Sequence, residues 1–314
     1  MALLPGDDGP YLFESAVPPE SGGAALLEFL ASRFTYRDRE GWAERIAEDD
    51  VLLDGVAERD PGRILRGGER LGCLARDFRE PEVPTGWTVA ACGEGWLAVS
   101  KPAGMPVHST PRIYRQTLVW QVRRLWGEGW APAHRLDRDT SGLVLFARGD
   151  RLPRWTGRAF ARHGVEKEYL ALVHGELSAA VRVEAPIGLA DDPRIQLRRT
   201  VRPDGQEAST WIDPIGPDPS GRGTWIRARP LQGRTHQIRV HCLQAGHPIV
   251  GDLLYDGKGG EGYLRRAEGD PSQPSERLHL HAWTLRFPDP PPGTLPRRLE
   301  CPPPPGWPRP TADG

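Results

Sequence analysis

Lysine is nearly missing from this chain: only Lys101, Lys167 and Lys258 stand among 41 basic residues, the rest being arginine. Under such a bias, a retained lysine points to a place where a compact ammonium is wanted in preference to a planar fork. The four cysteines, Cys73, Cys92, Cys242 and Cys301, lie far apart with no paired CxxC. That excludes the spacing of a zinc ribbon or knuckle and suggests buried, reduced thiols. No run approaches the roughly 18 apolar residues of a membrane span. The start MALLPGDDGPYLFE has no basic stretch leading into an apolar one, so no secretory signal and a cytoplasmic location are expected. Net charge is also nearly absent, at −1, but the average conceals an asymmetry. Residues 101–250 hold 23 Lys+Arg against 14 Asp+Glu, leaving −10 for the remainder. Such a split suits a basic face meeting an acidic polymer.

What the chain has in quantity is glycine and proline, 37 and 33 among 314 residues, which implies many turns. Residues 1–20 read as an irregular arm. Leu26, Leu27, Leu30 and Phe34 fall at helical spacing, and Trp42, Ile46 and Ala47 suggest a second short helix. VLLDGVAE reads as two strands around Asp54-Gly55. REPEVPTG at 79–86 has the composition of a linker. Beyond it, WTVAA and WLAVS alternate as strands, and TLVWQVRRLW places Leu118, Val122, Leu125 and Trp126 on one helical face. LVLFA at 143–147 is a short apolar strand, and an arginine-rich helix is expected near 152–163. KEYLALV, STWI and TWIRAR alternate as half-buried strands. This mixture predicts an α+β fold with a mixed, largely antiparallel sheet. The expected boundaries are 1–80 for the arm and small module, 81–292 for the main domain and 293–314 for a proline-rich tail.

Four segments combine into candidate chemistry. HRLDRDTSG at 134–142 crowds charge directly before an apolar strand, which is costly unless the charges pair or do work. Asp137 suits a carboxylate held near arginines at a pocket floor. Asp139, Thr140 and Ser141 read as a surface turn that caps the backbone. GRTHQIRVHCLQAGHPIVGD at 233–252 reads as a helix with Thr235 as N-cap and Gly246 as its stop. His236, His241 and His247 invite a metal reading, but no HExxH or carboxylate set accompanies them. In Lys167-Glu168-Tyr169 the lysine and tyrosine share one strand face, and the triplet alone reads as an exposed Lys beside a half-buried Tyr. SKPAGMPVH at 100–108 is, alone, a loop.

Together these pieces resemble the RluA-type pseudouridine synthases. HRLD followed by TSG matches the family's catalytic run, and KPAG before it, then KxY, GRTHQIRVH with GHPIVGD, and RLHLHAWTLRF at 277–287 after it, stand in the family's order. The resemblance spans roughly residues 88–288. Residues 24–75 look like the small RNA-binding module that often precedes this domain. The resemblance implies the pseudouridine synthase fold and a cofactor-free, metal-free isomerisation of uridine in ribosomal or transfer RNA by a monomer. Asp137 would be the catalytic carboxylate, Tyr169 would stack on the target uracil, and Arg135 would fill the space the base vacates. His134, Lys167, Ile238, Arg234 and Lys101 would face the RNA. Arg239, with Arg234 as a rival, would pair with Asp137 and hold its carboxyl low despite apolar surroundings. Attack on the sugar and an elimination route both remain open. A non-catalytic RNA-binding relative is the alternative, and a metal-dependent phosphodiesterase a more distant one.

Overall fold

The computed structural model describes residues 9–110, 112–268 and 276–308, so the start of the expected arm and the end of the expected tail lie outside them. The chain divides into two units, Met1–Arg79 and Glu80–Gly314.

In the first unit, α1 (Leu26–Arg33) and α2 (Arg39–Ala47) bury Leu26, Leu30, Trp42 and Ile46 against Val51 and Leu71. Asp38 caps α2, its carboxylate accepting from the Gly41 amide at 2.9 Å. Four antiparallel strands, β1 (Tyr11–Ala16), β2 (Val51–Leu53), β3 (Val56–Ala57) and β4 (Arg70–Ala75), run in the order β1-β4-β2-β3. Asp54 and Gly55 join β2 to β3 with both φ angles positive, the geometry that favours an Asp-Gly hairpin. Buried Asp50 is neutralised by Arg45 and by Arg76 at 2.7 Å.

The second unit is built on ten strands: β5 (Thr88–Gly93), β6 (Trp96–Lys101), β7 (Ala131–Pro132), β8 (Ser141–Ala147), β9 (Glu166–His174), β10 (Val181–Glu184), β13 (Ser209–Pro217), β14 (Gly223–Pro230), β15 (Leu280–Arg286) and β16 (Arg298–Glu300). Between β10 and β13 in the chain, β11 (Ile187–Leu189) and β12 (Arg199–Val201) form a separate ribbon. The main path is β10-β13-β14-β9-β15-β8-β6-β5, with β7 on β8 and β16 on β15. Among the described residues only β15 and β8 pair in parallel, through His281↔Ser141 and Ala282↔Gly142. The class is thus α+β with a largely antiparallel sheet, as the sequence predicts.

Alternation along β6 and β8 feeds two cores. Leu97, Val99, Val144 and Phe146 meet Leu118 and Val122 of α3 (Leu118–Trp126) on one face. Ala98, Leu143 and Leu145 meet Leu152 of α4 (Arg151–Ala161) and Phe287 on the other. With helices on both faces, all seven residues of β8 are buried, which is why LVLFA reads as an unbroken apolar run. Two further helices, α5 (Gln237–Gln244) and α6 (Glu261–Ala267), lie between β14 and β15 in the chain. No helix among the described residues is long and apolar enough to cross a membrane.

Three expectations fail here. Residues 11–16, expected in an irregular arm, form β1 and pair with β4. Leu125 and Trp126 are exposed, although the Trp87 ring lies 5.7 Å from that of Trp126 and its Nε1 donates to the buried Gln121 side chain. The stretch from 293 is also no tail over its described part. Arg298–Glu300 pairs with β15, and Leu295, Leu299 and Cys301 are buried beside Phe287. The prolines flank these few apolar residues, and proline content alone concealed a strand.

Candidate active site

The loop between β7 and β8 is pinned at both sides of its apex. The Ala133 amide donates to the Leu145 carbonyl at 2.7 Å, His134 Nε2 accepts from the Leu145 amide at 3.1 Å, and Leu136 is buried in the α3-side core. Asp137 follows, with its side chain 20 % exposed and its carbonyl accepting from the Thr140 amide at 3.2 Å. The KPAG loop is fastened to this apex by Lys101. Its buried Nζ donates to the carbonyls of Pro102 (2.9 Å), Met105 (2.8 Å) and Arg138 (2.9 Å). Three carbonyls converging on one point suit an ammonium and not a planar guanidinium, a physical reason for lysine at this position.

The facing wall is residues 230–239. Lys167, on β9, donates to the carbonyls of Leu231 and Gln232, each at 3.1 Å, and so fixes the exit of β14. Gln237 accepts from the Arg234 amide at 3.0 Å and donates to the Ser209 carbonyl at 3.0 Å, closing the turn into α5. His236, the residue that precedes α5, has φ 60, a left-handed conformation rarely kept by a non-glycine residue without support. That support is Tyr255, whose hydroxyl lies 2.7 Å from His236 Nδ1 and accepts from the Arg199 amide at 2.8 Å. Burial pushes the phenol up to about 12 and pulls His236 down to about 3, with the Arg239 charge adding to the latter. At neutral pH the phenol therefore keeps its proton. Since a buried hydroxyl proton needs an acceptor, the network assigns it to Nδ1 and leaves the imidazole N–H on Nε2. That Nε2 stands 4.0 Å from Asp137 Oδ1.

Arg239 makes a two-pronged ion pair with Asp252, both contacts at 2.7 Å, and its guanidinium lies 4.9 Å from the Tyr255 ring centre. Asp252 is fully enclosed and also accepts from the Leu254 and Tyr255 amides at 3.1 Å. Arg239 is thus already partnered. Burial raises the Asp137 carboxyl above its ordinary value; the charges of Arg239, Arg135 and Lys101 act in the opposite sense without reversing the shift, and Asp252 reinforces it. Tyr169 is half-buried in the same cleft and its phenol is raised by burial and by the Asp137 charge. The cleft is open to solvent and is lined by Arg135, Asp137, Lys167, Tyr169, Ile238 and Arg239 among others.

The model of the RNA pseudouridylate synthase family matches residues 95–244, which contain both walls of the cleft. The chain is 32% identical over 293 residues to the ribosomal large subunit pseudouridine synthase D of Xanthomonas campestris pv. campestris, covering 88% of this chain and 85% of that one. The chain belongs to the RNA pseudouridylate synthase family. This synthase is also 34% identical to tRNA pseudouridine synthase C of Vibrio parahaemolyticus, over 62% of its own length and 81% of the relative's. A solved human RNA pseudouridylate synthase domain, 28% identical, superposes with a TM-score of 0.55 over 72% of this chain and 86% of that one.

Of the residues singled out from the synthase sequence, the structure gathers Asp137, Tyr169, Arg239, Arg135, Lys167, Ile238 and Arg234 around the cleft. Lys101 and His134 are not on its lining: Lys101 is consumed by carbonyls, and His134 stacks on Phe160 of α4 at 4.9 Å. Lys167 is buried rather than exposed. Neither arginine pairs with Asp137, since Arg239 is held by Asp252 and Arg234 Nε donates to the Glu207 carbonyl at 3.0 Å. The Asp137 carboxyl is therefore raised by burial, not held low as the resemblance implies. Thr235 does not cap α5 with its side chain. Thr140 and Ser141 are buried rather than part of a surface turn, and Ser141 Oγ accepts from Arg277 at 2.6 Å. The three histidines do not share a site: His241 contacts Thr210 and the Ala185 carbonyl, and His247 the His174 carbonyl. Asp252 and Tyr255 had no assigned role in the sequence reading. The available signal was an aspartate inside the apolar run IVGDLLY, where a buried charge demands a partner.

Buried histidines also set the acid limit of this fold. Burial holds His134 and His281 near 4 and His236 near 3, below the unfolded value of about 6.5. Their contribution is fully present above the unfolded value and is lost as pH falls through the folded values. Unfolding below pH 6.5 should therefore take up protons, costing up to about 1.4 kcal/mol per pH unit for each histidine. Urea melts at pH 7.5 and 5.0 check this. Equal stability at the two pH values would contradict the buried, neutral assignment.

Proposed function

We propose that this protein isomerises uridine to pseudouridine in ribosomal or transfer RNA, with Asp137 as the catalytic carboxylate. The observation carrying the reading is Asp137 facing Tyr169 and Arg239 across one cleft. The target nucleotide is turned out of its stack at a cost of a few kcal/mol, and Arg135, exposed beside Asp137, stacks in the space left behind. Ionised Asp137 supports cleavage of the N1–C1′ bond. The uracil turns against Tyr169, C5 bonds to C1′, the C5 proton leaves to solvent, and N1 takes up a proton from solvent, so that no atom is gained or lost. The relatives' names supply the two RNA classes, and the protein acts in the cytoplasm as a monomer. Tritium release from [5-³H]uridine in ribosomal and transfer RNA transcripts tests the reading directly. No release from either class, with protein that binds both, would favour the non-catalytic alternative.

His236 enters this reaction as a positioning residue. Its Nε2 stands 4.0 Å from Asp137 Oδ1, beyond a hydrogen bond in this structure, and closes to donate to the carboxylate when substrate is bound, which favours the ionised form. The acid limb of kcat/KM should lie above the ordinary carboxylate value of about 3.9, because the Asp137 carboxyl is raised. His236→Phe should move this limb to higher pH, whereas His236→Gln, which keeps an N–H donor, should move it less. A limb unmoved in His236→Phe would mean that the histidine only supports the loop.

A further inference from the structure

The arginines of α4 have no part in the cleft chemistry, and their arrangement sets them apart from the others. Several exposed arginines elsewhere sit beside carboxylates, as Arg39 beside Glu28, Arg194 beside Asp192 and Glu261, and Arg229 beside Asp213; others, such as Arg79, Arg112, Arg138, Arg265 and Arg266, have no ion pair among the described residues but form no row of four along one helix. Arg151, Arg154, Arg158 and Arg162 are exposed and, among the described residues, have neither an ion pair nor an aromatic partner. Asp150 is the only acid between Arg148 and His163.

At about 100° per residue, positions 151, 154, 158 and 162 fall within one narrow stripe. The adjoining flank carries Leu152, Trp155, Ala159 and Phe160 toward the core. Like charges three and four residues apart destabilise a helix, so this row persists against its own repulsion. The stripe is about 16 Å long, given the 1.5 Å rise per residue. Its C-terminal end joins the active site physically, because Phe160, between Arg158 and Arg162, stacks on His134 at 4.9 Å with ring planes 25° apart. His134 immediately precedes Arg135, which lines the cleft. Gly157 and Ala161, exposed on one flank of the stripe, add no bulk that would keep a polymer away.

We propose that the exposed face of α4 is a phosphate rail that grips the RNA backbone outside the target nucleotide, leading the strand toward Asp137. This rests on the reading of the cleft as a pseudouridine synthase site. An anionic polymer fits better than an acidic protein patch, because four permanently charged forks in a row match a regularly charged backbone and no apolar anchor interrupts them. The rail gives register and affinity without reading bases. It also supplies a local source for the basic surplus in residues 101–250.

The test is the fourfold variant Arg151→Gln, Arg154→Gln, Arg158→Gln, Arg162→Gln, with a matching fourfold Arg→Lys variant in the same full-length chain. The probes are a fluorescent 30-nucleotide stem–loop RNA and a five-nucleotide uridine-containing strand, each titrated from 50 to 300 mM salt. Each lost phosphate contact lowers the slope of log Kd against log salt by about 0.7–0.9. For the stem–loop, the Gln variant should lose about three units of slope and bind at least tenfold more weakly at 0.1 M salt, with the Lys variant close to wild type. Binding of the five-nucleotide strand should change less than threefold. An unchanged stem–loop slope in the Gln variant overturns the rail, as does equal weakening of both probes. A Gln variant that melts earlier while the Lys variant binds as weakly also overturns it. Tritium release is read separately on the wild-type protein, so an inactive enzyme with a normal rail would refute the reaction and leave the rail standing.

Discussion

Gly142→Ala should prevent stable folding. Gly142 has φ +115, and a Cβ built there would sit 2.2 Å from the Ala282 carbonyl oxygen and 2.6 Å from its amide nitrogen. Those atoms belong to β15 where it pairs in parallel with β8, at Ala282↔Gly142. The neighbour is backbone, not a flexible side chain, so β8 and β15 would have to separate at the centre of the sheet. The φ value alone strains an L residue by about 1–3 kcal/mol. Adding the lost pairing brings the expected cost to about 4 kcal/mol or more, against a typical total stability of 5–15 kcal/mol. Gly157→Ala is the contrasting control, since a Cβ there meets nothing within 4 Å in the middle of α4, and it should stabilise by about 0.5–1 kcal/mol. Urea denaturation of both variants measures the difference. A Gly142→Ala protein within about 1 kcal/mol of wild type would refute the close approach of the two strands.

This glycine shows where sequence reading stops. TSG marked the end of the catalytic loop as a family motif, yet nothing in the chain said that its glycine abuts a strand about 140 residues away. Local elements were legible because their signals are local: the Asp54-Gly55 turn, the helical spacing of Leu26 and Leu30, and the apolar run of β8. The candidate residues were legible as separate motifs, and the sheet brings them to one cleft. The partnering of charges was not legible. Arg239 looked free to meet Asp137 because the competing carboxylate, Asp252, lies thirteen residues on in a loop whose path depends on the tertiary fold. Lys101 and Lys167 were picked out by their scarcity, but what they bind is backbone carbonyl, which sequence does not display. In the sequence His236 invites only a metal reading; that one ring nitrogen meets Tyr255 and the other faces Asp137 is visible only in the structure.

The second large effect concerns Asp137 itself. Asp137→Asn keeps the shape of the side chain but removes the negative charge, so the residue can neither attack the ribose nor take a proton. Turnover should fall by at least about 10⁴-fold. RNA binding should stay within about threefold, because phosphate contacts by arginines dominate affinity. Asp139, two residues on, is exposed and accepts no hydrogen bond among the described residues. Asp139→Asn should therefore leave stability within about 0.5 kcal/mol and activity near wild type. The deciding measurement is tritium release from [5-³H]uridine in RNA by Asp137→Asn and Asp139→Asn, with filter binding on the same samples. Release abolished in the first and retained in the second, with both binding RNA, is the predicted result; release by Asp137→Asn within tenfold of wild type would contradict its assignment as the catalytic carboxylate.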